Sequence, residues 1–192
     1  MNLPGLASVP GSISAGLRGA VLLARARPEG VERFSNDPAT VIRSFWALPL
    51  CLPSLICMKM LAWADTGIPV NGPASFVRYL LLFSVGWLLF VVVSHYLAST
   101  INKQDNWPRF VAVWSYCSVI ENTLIALGEL PKVLSAPAIL TQAAQLVTIG
   151  WALWLGWYGI RLSLDTGKLT AAIFLAVDLT IGIVMAVFAG GT

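Results

Sequence analysis

The sequence predicts an all-α fold: an integral membrane bundle of five transmembrane helices, preceded by an N-terminal interfacial amphipathic helix. Three observations lead there. Of 192 residues, 57% are hydrophobic and 11% charged, with a mean hydropathy of +0.79, which leaves too little polar surface for a soluble domain. Five stretches, at about 43–64, 76–100, 108–129, 138–161 and 169–190, reach the roughly 20 residues that a helix rising about 1.5 Å per residue needs to cross a hydrocarbon core about 30 Å thick. The connections between them are short, about 7 to 11 residues, and hold no folded extramembrane domain. Residues 1–42 are therefore expected to form a cytoplasmic N-terminal segment, and residues 43–192 one five-span bundle.

The N-terminal segment opens with "MNLPGLASVPG", which Pro and Gly break into irregular chain. The first thirty residues lack a basic n-region followed by a clean apolar core, so they are expected to be retained. Residues 12–27, "SISAGLRGAVLLARAR", read as a helix. Arg18 and Arg25 share one side, Ile13, Leu17, Ala20 and Ala24 another. With Arg27, the arginines suit a helix lying in the interface among phosphates; the alternative is a short helix packed on the cytoplasmic end of the bundle. Ser35, Asn36 and Asp37 before Pro38 mark a turn and a helix start.

Span one carries Pro49 and Pro53, each of which removes an intrahelical hydrogen bond, so a kink is expected. On span four, Thr141, Gln145, Thr148, Ala152, Gly159 and Ser163 form a small or polar stripe, with Trp151, Trp154, Trp157 and Tyr158 away from it. The stripe is expected to face inward, where small residues let backbones approach. Span five places Asp178 on the same side as Ala171, Gly182, Met185 and Ala189.

Orientation follows from the cations. Arg18, Arg25, Arg27, Arg33, Arg43, Lys103, Arg109, Arg161 and Lys168 lie on the side of the N-terminus, against Arg78 and Lys132 opposite, which predicts N-inside, C-outside. The net charge of +3 then reads as a topology signal and an attraction to anionic headgroups, and does not call for nucleic acid.

Ionisable groups at membrane depth cost of order 2.5–3.5 kcal/mol each, so they are expected to face the interior with partners. On span three, Ser115, Ser118, Asn122 and Glu129 fall within an arc of about 60°, with Glu121 at its edge. Counting about 1.5 Å per residue from the cytoplasmic side, Lys59 lies about 24 Å deep and Glu121 about 20 Å. That depth match predicts a buried cluster of Lys59, Glu121, Asn122 and Gln145. Asp178 and His95 lie about 14 Å and 7 Å deep, where a direct or water-mediated bond would link them. Together with Glu129 they outline a candidate proton or ion path; interhelical glue is the structural alternative.

Catalytic motifs are not expected. Two Asp-Thr-Gly triplets, at 65–67 and 165–167, fall on opposite sides of the membrane and read as helix ends with glycine at positive φ. One histidine and the lack of phosphate-loop, nucleophile-elbow or zinc-helix patterns point to a protein without enzymatic activity, cofactor or metal. Cys51, Cys57 and Cys117 lie in spans without Cys-x-x-Cys spacing, and are expected to be buried thiols.

The five spans, the N-terminal helix and "SFWALPLCLP" at the start of span one, with its aromatic-x-x-Pro motif, resemble the Yip-domain family of five-span membrane proteins and related small bacterial inner-membrane proteins. The resemblance implies an accessory or scaffold role in a bacterial inner membrane, packed against lipid, other membrane proteins or further copies of itself, or else a transport role. It assigns no residue a function. A small transporter or channel for a proton or cationic solute, using the intramembrane carboxylates, is the alternative. Orientation is open to a direct check: alkaline phosphatase fused after residue 70 is expected to be active in a bacterial host and inactive after residue 104, whereas the reverse pattern would invert the topology.

Overall fold

The computed structural model describes residues 13–190; the irregular stretch expected at residues 1–11 lies outside them. Among the described residues the chain is helical throughout. It comprises α1 (Ile13–Ala24), a 3-10 segment (Pro28–Arg33), α2 (Ala39–Ser44), α3 (Ala47–Thr66), α4 (Gly72–Thr100), a second 3-10 segment (Gln104–Asn106), α5 (Trp107–Gly128), α6 (Leu130–Val133), α7 (Ala138–Ser163) and α8 (Lys168–Gly190). Five segments are long and apolar enough to cross a membrane: 39–66, 72–100, 104–133, 138–163 and 168–189. The five-helix membrane bundle read from composition is what the chain forms.

Span one is broken rather than smoothly kinked. The α2/α3 break falls at Phe45 and Trp46, one turn before Pro49. Proline offers no N–H to the carbonyl four residues earlier and its ring crowds that carbonyl, which here belongs to Phe45. Short-range bonds close the gap, from Phe45 N to Ile42 O (3.3 Å) and from Leu48 N to Phe45 O (3.1 Å). Pro53, by contrast, stays inside α3.

Four helix ends share one device. Ala26, Asn102, Ser135 and Asp165 take φ of 60°, 55°, 55° and 49°. The next residue's N–H then bonds back five residues in each case: Arg27 to Leu22 O, Lys103 to Ala98 O, Ala136 to Pro131 O and Thr166 to Arg161 O. This is the Schellman closure, satisfying carbonyls that lipid cannot. It corrects one expectation. Gly67 does carry the positive φ (83°) that ends α3, but in the second Asp-Thr-Gly triplet the left-handed residue is Asp165, two positions earlier.

Helix α5 is the centre of the bundle. Of its apolar stretch 56% is buried, against 11–22% in the other four spans, and Phe110, Val111, Ala112, Val113 and Ser115 are fully enclosed. It packs most extensively on α7, where a Cβ on Gly128 would lie 2.4 Å from Thr148 Oγ1 and one on Gly159 3.2 Å from Val113. The inward stripe of span four is thus the contact face, with Ala152, Gly159 and Ser163 buried. Helix α4 meets α8 at Gly86, where a Cβ would sit 3.0 Å from Met185. An aromatic cluster ties α4, α5 and α8: Phe90 to Trp114 at 4.7 Å, Phe90 to Phe110 at 6.1 Å and Phe110 to Phe174 at 5.7 Å between ring centroids.

The two ends of the bundle are latched by the loops. At the basic end, Lys103 pairs with Asp165 at 3.1 Å, Asn106 donates to Leu164 O, and the Arg109 guanidinium donates twice to Ser163 O (2.9 and 3.1 Å). At the opposite end, Lys132 pairs with Asp65 and Arg78 donates to Phe188 O.

The first helix is docked on the bundle, through a face that takes in Leu17, Ala20 and Ala24 of the expected side and leaves Ile13 out. Ala15, Gly16, Gly19, Ala20 and Leu23 are buried, whereas Ile13 is 39% exposed. Small residues win because they let α1 approach aromatic rings: a Cβ on Gly16 would fall 2.4 Å from Tyr116, and one on Gly19 2.5 Å from Phe34. Arg18, Arg25 and Arg27 remain exposed, as an interfacial position requires. Cys51 and Cys117 are buried, but Cys57 is exposed on the outside of α3, against the expectation of three buried thiols.

The docking of α1 has a measurable consequence. Gly16→Leu is expected to destabilise the protein by about 1–3 kcal/mol through overpacking against Tyr116, outweighing the roughly 0.5–1 kcal/mol that removing a helical glycine returns. Arg18→Leu, on the exposed side, should leave the thermal midpoint in detergent unchanged; equal midpoints for both variants would show that α1 is not held this way.

Candidate functional site

The polar face of α5 divides into two kinds of residue. Ser115, Ser118, Asn122 and Thr123 bond to carbonyls of their own helix, at Val111, Trp114, Ser118 and Val119, over 2.6 to 3.0 Å. Such bonds satisfy the side chain without joining helices. Glu121 is different: its Oε1 is buried and has no hydrogen-bond partner. It rests beside α7 where Gly156 has no side chain, and a Cβ there would lie 3.2 Å from Oε1.

Glu121 lines a partly open cavity of about 500 Å³ bordered by α3, α4, α5, α7 and α8. Helix α8 touches α5 in the basic half, through Phe174 and Asp178, and is then held away from it by this space. Asp178 also lines the cavity, and its Oδ2 accepts a hydrogen bond from Trp114 Nε1 at 3.0 Å. Apart from Ser118 and Asn122, the remaining wall is apolar or aromatic, with Tyr79, Phe83, Trp87 and Trp114 prominent. Trp87 lies 5.1 Å from Trp114 between ring centroids, and its Nε1, like Glu121 Oε1, is buried without a partner. Among the described residues Glu121 and Asp178 supply the carboxyl groups of this lining.

The cluster expected around Glu121 is not formed. Lys59 has its ammonium 5.5 Å from the centroid of Trp63 and 5.3 Å from that of Tyr79, so two aromatic faces take the place of the carboxylate. Each such contact contributes about 0.5–2 kcal/mol. Gln145 donates to Glu129 Oε1 at 2.9 Å, nearer the far end of α5. Asn122 lines the cavity but spends its amide on Ser118 O.

The expected path of His95, Asp178 and Glu129 is not assembled either. His95 is exposed and sits edge-on to Trp107 at 4.7 Å, while Trp107 Nε1 donates to Ser94 Oγ. Asp178 has Trp114 as its partner, and Glu129 has Gln145. What the structure does bring together is Asp178 with Glu121, from helices whose pairing depth counting did not suggest.

Trp114, Trp87 and Gly156 were missed from the sequence. A signal for the first existed: Trp114, Ser118, Glu121 and Ile125 follow an i, i+4, i+7, i+11 pattern, one helical face, and all four line the cavity. Weighting polar residues alone had centred the arc on Ser115 and Asn122 instead. Set against protein-family models, curated proteins and solved structures, the chain matches none.

Two double-mutant cycles test this geometry in detergent. Lys59→Met and Glu121→Gln are expected to be additive within about 0.5 kcal/mol, as for groups that share no contact. Glu129→Ala and Gln145→Ala should couple by about 0.5–2 kcal/mol. Strong coupling in the first cycle would restore the ion pair.

Proposed function

We propose that this protein is a non-catalytic bacterial inner-membrane carrier that binds a cationic solute at lipid depth, with Glu121 and Asp178 as its counter-charge. The observation that supports this reading is the cavity itself: two carboxylates from different helices face one largely apolar space, and one of them has a buried oxygen without a partner. Acidic groups so placed call for positive charge between them. Lys59 does not supply it, being held over Trp63 and Tyr79, so a proton or a bound cation does. Alternation between the two is the chemistry a cation carrier needs.

A second reading, an accessory subunit that packs against other membrane proteins, against lipid or against further copies of the chain, is supported by the large apolar residues exposed along α7 and α8. Leu146, Val147, Ile183 and Val187 are among them. Lipid covers such a surface as well as a partner does, and this reading leaves the carboxylate cavity unused.

Asp178→Asn separates the two. The amide oxygen keeps an acceptor for Trp114, so folded yield and thermal midpoint are expected to stay near wild type. Currents evoked by cation-concentration jumps on proteoliposomes adsorbed to a solid-supported membrane are expected to fall about tenfold or more. A loss of yield or assembly without a separate loss of current per folded protein would favour the accessory subunit, as would recovery from the native membrane in a larger complex of fixed stoichiometry by native mass spectrometry.

A further inference from the structure

The cavity specifies more than the sign of its ligand. On α8 and α5 its carboxyl groups, Asp178 and Glu121, leave a long apolar stretch beyond them. On α8 the lining runs from Leu175 to Ala189, with Asp178 three residues from its inner end. The 11 residues from Asp178 to Ala189 rise about 16 Å. Over that length α8 contributes only apolar or small residues, such as Leu179, Gly182, Met185 and Ala186, facing Leu82 and Phe83 of α4. A ligand filling this space has its positive charge at the inner end and a bulky apolar body extending toward the end of α8.

From this arrangement, and resting on the cation-carrier reading, we infer that the solute is an amphiphilic organic monocation, a protonated amine or a quaternary ammonium on an apolar body of drug-like size. Volume, wall chemistry and depth agree. About 500 Å³ lies within the roughly 300–1,000 Å³ of sites for drug-sized ligands, and an alkali ion or simple ammonium would leave most of it unfilled. A hard divalent cation needs about six to eight oxygens, whereas the polar lining amounts to Glu121, Asp178, Asn122 and Ser118. Leu82, Phe83, Trp87 and Trp114 in the wall favour a bulky apolar or aromatic body, which is not penalised by losing water. Glu121 Oε1, buried and unbonded, is the acceptor for the cationic head. A phospholipid amine would have to sink its headgroup about 16 Å below the end of α8 to reach Asp178, so a free amphiphile fits better than a lipid of the bilayer.

The test uses the full chain in phosphatidylcholine nanodiscs, with radiolabelled tetraphenylphosphonium as probe. Saturable binding is expected, weakened about tenfold or more in Glu121→Gln. On the unaltered protein, 1-naphthylmethylamine should displace the probe and its neutral counterpart, 1-naphthylmethanol, should not; this comparison needs no variant to fold. Saturable binding of methylammonium with neither bulky cation bound would overturn the ligand class while leaving the cation-carrier reading in place. Binding of no cation at all would remove both, as would equal displacement by amine and alcohol. Loss of probe binding when phosphatidylethanolamine replaces part of the phosphatidylcholine would assign the site to a lipid headgroup and overturn the inference.

Discussion

The seating of α7 on α5 is the contact on which the other positions depend. Between helices in lipid there is no hydrophobic driving force, so association rests on close packing and on hydrogen bonds. Gly128, Gly156 and Gly159 remove side chains where Thr148, Glu121 and Val113 approach, which brings the two backbones together along most of their length. Because only four residues separate α7 from α8, α8 must return beside α7. Met185 of α8 then packs on Gly86 of α4, and the cavity is the space bordered by these helices beside Glu121.

Polar side chains in this bundle follow two routes to satisfaction, and the difference matters for function. Serines, threonines and Asn122 on the spans bond to their own helices, as do Ser84, Ser94, Thr148, Ser163 and Thr180. They therefore hold little of the tertiary structure. Interhelical bonds come from larger groups, among them Trp114 to Asp178, Gln145 to Glu129, Trp107 to Ser94 and Arg109 to Ser163. Three of these lie toward an end of the bundle. The Trp114 bond to Asp178 lies at membrane depth, and it is part of the wall that holds the unbonded Glu121.

Leaving a carboxyl oxygen buried without a donor is expensive, of order 1–3 kcal/mol or more, and the lysine of span one does not relieve it. Lys59 instead lies on aromatic faces. The observed arrangement leaves two carboxyl groups, Glu121 and Asp178, in the lining of an otherwise largely apolar space.

Composition and span length determined the five-helix membrane fold, because each helix satisfies its own backbone bonds and needs only enough apolar residues to cross. The inward stripe of α7 and the inward side of α8 were legible for the same reason: residues 100° apart keep their relative angles wherever the helix lies. The end of α3 at Gly67 was also legible, being a local matter of backbone sterics. Tertiary structure alone decided that Glu121 meets Gly156 and shares a cavity with Asp178, that Lys59 turns to Trp63 and Tyr79, and that α1 docks through Gly16 and Gly19. Depth along a helix can be counted from the sequence, but which neighbour occupies that depth depends on helix order and rotation around the bundle. Those are set by close contacts between residues distant in the chain, and a single sequence carries no record of their pairing.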